Sequence, residues 1–167
     1  MLRDGTEIRE TVADEPGPSS SGDTEILASA EMVAEIPRVL HALAVPEYME
    51  TWLQLPDTDR IECRADPRTF DRFRIDLFIA GRCRGSIHGS CLLTKPNRIT
   101  YTWQNSSSEG RRSLVEIRLR AYMTRCTLRL RHSGLKTREQ REWYSRMWRA
   151  SLHKLCALME GTGARPA

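Results

Sequence analysis

The fold is decided by residues 137–161, TREQREWYSRMWRASLHKLCALMEG, which run from Thr137 to Gly161. At helical spacing Tyr144, Trp148, Ser151, Leu152, Leu155 and Met159 fall on one stripe, with Met147 and Leu158 beside it. Arg146, Arg149, His153 and Glu160 fall opposite. Thr137 and Gln140 have the spacing of a capping box, in which side chains satisfy amides that a first turn leaves unpaired. Gly161 suits the C′ position, where a left-handed residue ends a helix. The pattern predicts a helix from Arg138 to Glu160, about 34 Å long at roughly 1.5 Å per residue. One long helix with a single broad apolar face needs a second layer to cover it.

The residues before it supply that layer. Ile61, Cys63 and Ala65 alternate before Pro67, and Phe73, Ile75, Leu77 and Ile79 alternate with Arg72, Arg74, Asp76 and Phe78. Ile87, Cys91 and Leu93 alternate with polar residues, as do Ile99, Tyr101 and Trp103. Val115, Ile117 and Leu119 follow, then Cys126, Leu128, Leu130 and His132. A period of two means one buried face and one wet face, as in an antiparallel sheet. The connections at Gly81, Lys95-Pro96-Asn97, Ser106 to Gly110 and Tyr122-Met123 are short enough to join neighbouring strands as hairpins. Upstream, an apolar stretch from Ile26 to about Ala34 reads as a strand. Two short helices follow, opened by Pro37 and Pro46, because proline is tolerated in a first turn. The order is strand, two short helices, six strands and a long helix, and a curved sheet closing on the last helix buries both apolar faces.

Charge is divided unevenly. Residues 1–25 hold seven acids and two bases, whereas residues 26–167 hold 24 bases and 15 acids, nearly all the bases arginine. Residues 1–24 are polar and turn-rich and read as a disordered acidic tail. One α+β domain is expected over 25–161, with a short flexible C-terminus over 162–167. Five cysteines without a C-x-x-C pair argue for buried reduced thiols rather than a disulfide framework or a zinc site. No apolar run approaches the roughly 20 residues of a membrane span, and no export signal is legible, so a cytoplasmic location is expected.

Several segments resemble a known family. Leu43-Ala44-Val45-Pro46-Glu47 followed by Trp52, Gly89 followed by Pro96, and Arg98-Ile99-Thr100-Tyr101-Thr102-Trp103 carry the first part of the likeness. Ser113 with Val115, Ile117 and Leu119, then Thr124 to Leu135, then Trp148 with Leu152 and Leu155 complete it. In this order they resemble the SRPBCC superfamily of START domains, birch-pollen-allergen-like proteins and polyketide cyclases. Within it they are most similar to the group related to the C-terminal domain of the heat-shock-protein-ATPase activator, in its bacterial-type form. Thr69-Phe70 and Tyr122-Met123 depart from that group by placing bulk where it has flexible turns. The resemblance implies a helix-grip fold, six to seven strands around the final helix, with a cavity between them. It implies no particular reaction, because this fold hosts binders, enzymes and chaperone regulators.

The expected cavity lining is Phe73, Leu77, Tyr101, Trp103, Ile117, Leu128, Leu130, His132, Tyr144, Met147 and Trp148, suited to a small, largely apolar ligand. The competing expectation is that these side chains fill the space themselves, as close-packed interiors do. His132 shares its strand face with no Asp, Glu, Ser or second His, so a satisfied histidine is expected ahead of a general base. Histidines and cysteines are spread singly, and no phosphate loop or nucleophile elbow is present, so neither cofactor nor metal is expected. Arg72, Arg74, Arg84, Arg98, Arg118, Arg120, Arg125, Arg129 and Arg131 fall on the wet strand faces. Cross-strand ion pairing is their ordinary use, and without interleaved aromatics nucleic acid is disfavoured. The primary expectation is a small-molecule-binding domain. The alternatives are a chaperone-ATPase-regulating protein-interaction domain and a polyketide-cyclase-like enzyme using His132 or Tyr101. The eukaryotic activator carries a further N-terminal domain, which counts against the chaperone alternative here.

Overall fold

The computed structural model describes residues 24–66, 68, 71–106 and 111–161. The acidic tail before Thr24, the stretch 162–167, Thr69-Phe70 and most of the Ser106 to Gly110 connection lie outside the described residues. The chain forms β1 (Thr24–Met32), α1 (Ile36–Ala44), α2 (Pro46–Trp52), β2 (Arg60–Ala65), β3 (Arg72–Ile79), β4 (Arg82–Lys95), β5 (Arg98–Asn105), β6 (Ser113–Tyr122), β7 (Arg125–Leu135) and α3 (Arg138–Glu160). Strand β1 starts two residues earlier and ends two earlier than its apolar content suggests. The seven strands form one antiparallel sheet in the order β1-β7-β6-β5-β4-β3-β2. This is the helix-grip arrangement, an α+β fold with α3 laid on the sheet.

The local chemistry accounts for the elements. Thr137 Oγ1 accepts from the Gln140 amide at 3.1 Å, and Gln140 Oε1 accepts from the amides of Lys136 and Thr137, so the capping box is complete. At the other end, Gly161 is the C-cap with φ −71°, not a left-handed residue as its type suggests. The last carbonyls are instead served from outside the helix: the Arg38 guanidinium donates to Met159 O at 2.9 Å and Leu158 O at 3.3 Å. A cation there also opposes the negative end of the helix dipole. Tight turns fix strand register. Ile79 pairs Arg82 around Ala80 and Gly81, both at positive φ, and Tyr122 pairs Arg125 around Met123 at φ 53°.

Beneath α3, its buried residues Tyr144, Met147, Trp148, Ser151, Leu152, Leu155, Cys156 and Met159 meet the inward residues of the strands. Full burial of a large apolar side chain is worth about 2 kcal/mol, so this stripe anchors the helix. Ser151 is the polar exception, and its hydroxyl accepts from the Gln54 amide at 2.8 Å, tying α3 to the segment after α2. Two further polar groups are absorbed similarly: Trp52 Nε1 donates to Ala42 O at 2.8 Å, and the Tyr101 hydroxyl donates to Leu43 O.

Two expectations need correction. Ile79 is 39% exposed, because the inward row of β3 runs past the end of the covered region. Only Cys63, Cys126 and Cys156 are buried; Cys83 lies exposed beside the β3–β4 turn and Cys91 is half-buried, though all five thiols are free.

Gly89 marks the closest approach in the sheet. A Cβ there would sit 2.0 Å from Thr102 O and 2.6 Å from Phe73 Cζ, since the Phe73 ring crosses the strand where no side chain stands. Gly89→Ala is therefore expected to destabilise the domain by about 3 kcal/mol in urea unfolding. A midpoint unchanged from the parent would contradict this account of the sheet.

Candidate functional site

Of the eleven residues expected to line a cavity, nine are enclosed. Phe73, Tyr101, Trp103, Ile117, Leu128, Leu130, His132, Met147 and Trp148 are each no more than 3% exposed. Their rings interlock, with Phe73–Trp103 and Trp103–Trp148 centroids both 5.7 Å apart and Phe73–Tyr101 at 6.0 Å. They pack the interior between sheet and helix. Leu77, half-buried, and Tyr144, 6% exposed, reach the edge of that packing and line an open cleft.

The cleft has a volume of about 550 Å³ and lies between the outer ends of β3 to β5 and the first turns of α3. Leu77, Ile79, Trp143 and Pro56 supply apolar surface, while Asn105, Gln140, Arg84 and Glu139 supply polar groups. Its size falls within the roughly 300–1,000 Å³ of small-molecule sites. Trp143 and Ile79 were not among the expected lining. Trp143 lies just off the helical stripe, and its signal was the one-turn spacing to Met147 on the same side of the helix.

Behind the cleft stands His132, wholly buried. Trp148 Nε1 donates to His132 Nδ1 at 2.9 Å, and His132 Nε2 lies 2.7 Å from Ser113 Oγ. An indole is a donor only, so Nδ1 is the acceptor and the neutral ring carries its proton on Nε2. That proton goes to Ser113 Oγ, whose own hydroxyl donates to Trp103 O at 3.2 Å. The expectation that His132 has no serine on its side holds along β7 but not across the sheet. Ser113 precedes by two residues Val115, the cross-strand partner of His132, and so shares its face diagonally. Desolvation pushes the His132 pKa down to about 3. Burial also pushes the phenol of Tyr101 well up, and its hydroxyl is already given to Leu43 O. Neither residue lines the cleft, so neither meets a substrate placed there.

The outer face carries a second recess, also about 550 Å³, around Arg64, Arg72, Arg74, Arg112 and His88. Much of the arginine charge on this face is tied to neighbours: Arg74 to Asp76 at 2.7 Å, Arg98 to Glu116 at 2.8 Å, Arg131 to Glu25 at 2.6 Å and Arg125 to Glu31 at 3.0 Å. Among the described residues no group of three or more metal-ligating side chains converges, and no helix is long and apolar enough to cross a membrane.

Comparison with known proteins agrees with this architecture. Residues 34–160 match the sequence profile of the family described as Activator of Hsp90 ATPase homolog 1-like protein. No curated protein matches the chain in sequence. Among solved structures, protein CV1439 from Chromobacterium violaceum is 22% identical with a TM-score of 0.67, covering 81% of this chain and 96% of that one. CalU16 from Micromonospora echinospora is 20% identical with a TM-score of 0.66, covering 99% and 81%. A START superfamily protein from Mycobacterium smegmatis is 11% identical with a TM-score of 0.61, covering 83% and 97%. At these identities the likeness is one of fold.

The depressed His132 pKa has a consequence for stability. The unfolded histidine, near its ordinary value of about 6.5, takes a proton that the folded one refuses. Its stabilising contribution is therefore full above about pH 6.5 and is lost as pH falls towards about 3, at up to roughly 1.4 kcal/mol per pH unit. Urea unfolding between about pH 7 and pH 4 is expected to show this slope, and His132→Asn to show a shallower one. Equal slopes would contradict the burial of a neutral ring.

Proposed function

The chain belongs to the Activator of Hsp90 ATPase homolog 1-like family, within the SRPBCC superfamily, and from that premise we propose that it binds a small, largely apolar molecule in the cleft between the sheet and the first turns of α3. The observation that carries this reading is the cleft itself, with Leu77, Ile79 and Trp143 presenting apolar surface to an opening of ligand size. Tyr144 lines the cleft and joins it to the packed interior, so most of the expected aromatic lining contributes by shaping the wall. Binding needs no rearrangement of the core. The five free thiols suit a reducing compartment such as a cytoplasm.

A thermal-shift and native mass-spectrometry screen with lipids and aromatic metabolites tests the reading. A ligand at roughly a hundredfold over its dissociation constant stabilises by about 2.7 kcal/mol. Ile79→Asp, at a partly exposed position, is expected to keep the fold and lose at least about tenfold in affinity, since it places a charge on the apolar floor. Absence of any shift with every apolar compound would contradict the proposal.

The family description supports a second reading, in which the domain meets a chaperone ATPase. Capture of such an ATPase from lysate by the parent and by Ile79→Asp alike, with altered ATP turnover, would favour that reading over ligand binding in the cleft.

A further inference from the structure

Beyond the cleft lies a small polar annex. Trp103, Ser113 and Lys136 wall it together with Asn105, Gln140 and Tyr144, and the last three also line the cleft. Its volume is about 20 Å³, room for a single water-sized atom. Among the described residues Trp103 Nε1 is a buried donor, on a side chain only 1% exposed, whose approach to the Tyr144 hydroxyl falls short of full hydrogen-bond geometry. Burial pushes the Tyr144 phenol up, and its contacts with Asn105 and Trp103 act against that larger effect. An indole can only donate, and leaving such a donor unmet inside a protein is costly, so the annex is built to receive an acceptor.

Position agrees: the annex lies beside the N-terminal turn of α3, where Gln140 lines it and the positive end of the helix dipole is found.

We propose, resting on the cleft reading above, that the ligand carries a carbonyl or carboxylate oxygen. This oxygen enters the annex and accepts from Trp103 Nε1, while the apolar body lies on Leu77, Ile79 and Trp143. The one-atom volume selects against sulfate and phosphate head groups, which cannot bring a tetrahedral centre through it. Specificity thus comes from one buried hydrogen bond at the inner end of an apolar site.

Three probes of one shape test this: naphthalene, 2-acetylnaphthalene and 2-naphthoate, titrated into the ¹⁵N-labelled full chain. The four tryptophan indole resonances are the readout, with Trp103 identified through Trp103→Phe. The expected result is that at least one oxygenated probe binds about tenfold more tightly than naphthalene and moves the Trp103 indole proton downfield. Preference for 2-naphthoate identifies a carboxylate, and parity with 2-acetylnaphthalene a carbonyl. Trp103→Phe is expected to erase the preference; should it fail to fold, the shift in the parent protein decides. If all three probes move Trp143 equally while Trp103 stays still, the acceptor proposal is overturned and the cleft stands. If none moves Trp143 or Ile79, the cleft reading itself is overturned.

Discussion

A continuous chain of hydrogen bonds crosses the middle of an otherwise apolar core, from Trp148 on α3 through His132 on β7 and Ser113 on β6 to the backbone of Trp103 on β5. Each donor in it has an acceptor and each acceptor a donor, so burial costs little and misplacement costs much. Sliding α3 by one turn would strand His132 Nδ1 in hydrocarbon surroundings. Apolar packing brings the helix onto the sheet, and this chain fixes where along the sheet it rests. The Ser151 contact with Gln54 and the Arg38 contacts with the end of α3 secure the remainder of its length.

The position of α3 in turn decides where space is left. Held by Trp148, the helix packs its middle against the ring of Trp103, which interlocks with those of Phe73 and Tyr101. Its first turns overhang the outer ends of β3 to β5, where inward residues such as Ile79 meet no helix side chain in close packing. A ligand-sized gap at that end follows from a rigid helix on a sheet that extends beyond it. The fold therefore combines a densely packed centre with an open cleft at one end.

How much of this was legible in the sequence depends on how local each feature is. The α3 stripe, its capping box and the strand alternations are repeats within one segment, and they marked the elements nearly to the residue. The partner of His132 was not legible, because Ser113 sits diagonally across a strand pair and no single strand records it. Whether the inward aromatics line a cavity or fill the interior was not legible for a related reason. Aromatic residues at inward positions suggest a cavity wall and a packed core equally, and only their mutual distances separate the two. Trp143 and Ile79 were not read as lining because each lies at the margin of its apolar pattern.

The central claim is that a neutral His132, protonated on Nε2, joins the helix to the sheet. Long-range ¹H–¹⁵N correlation of the imidazole nitrogens tests it most directly. The account predicts a fixed Nε2–H tautomer, with an unprotonated Nδ1 resonance that persists below about pH 5 and a slowly exchanging Trp148 indole proton. An imidazolium at that pH, or a ring averaging between tautomers, would contradict it.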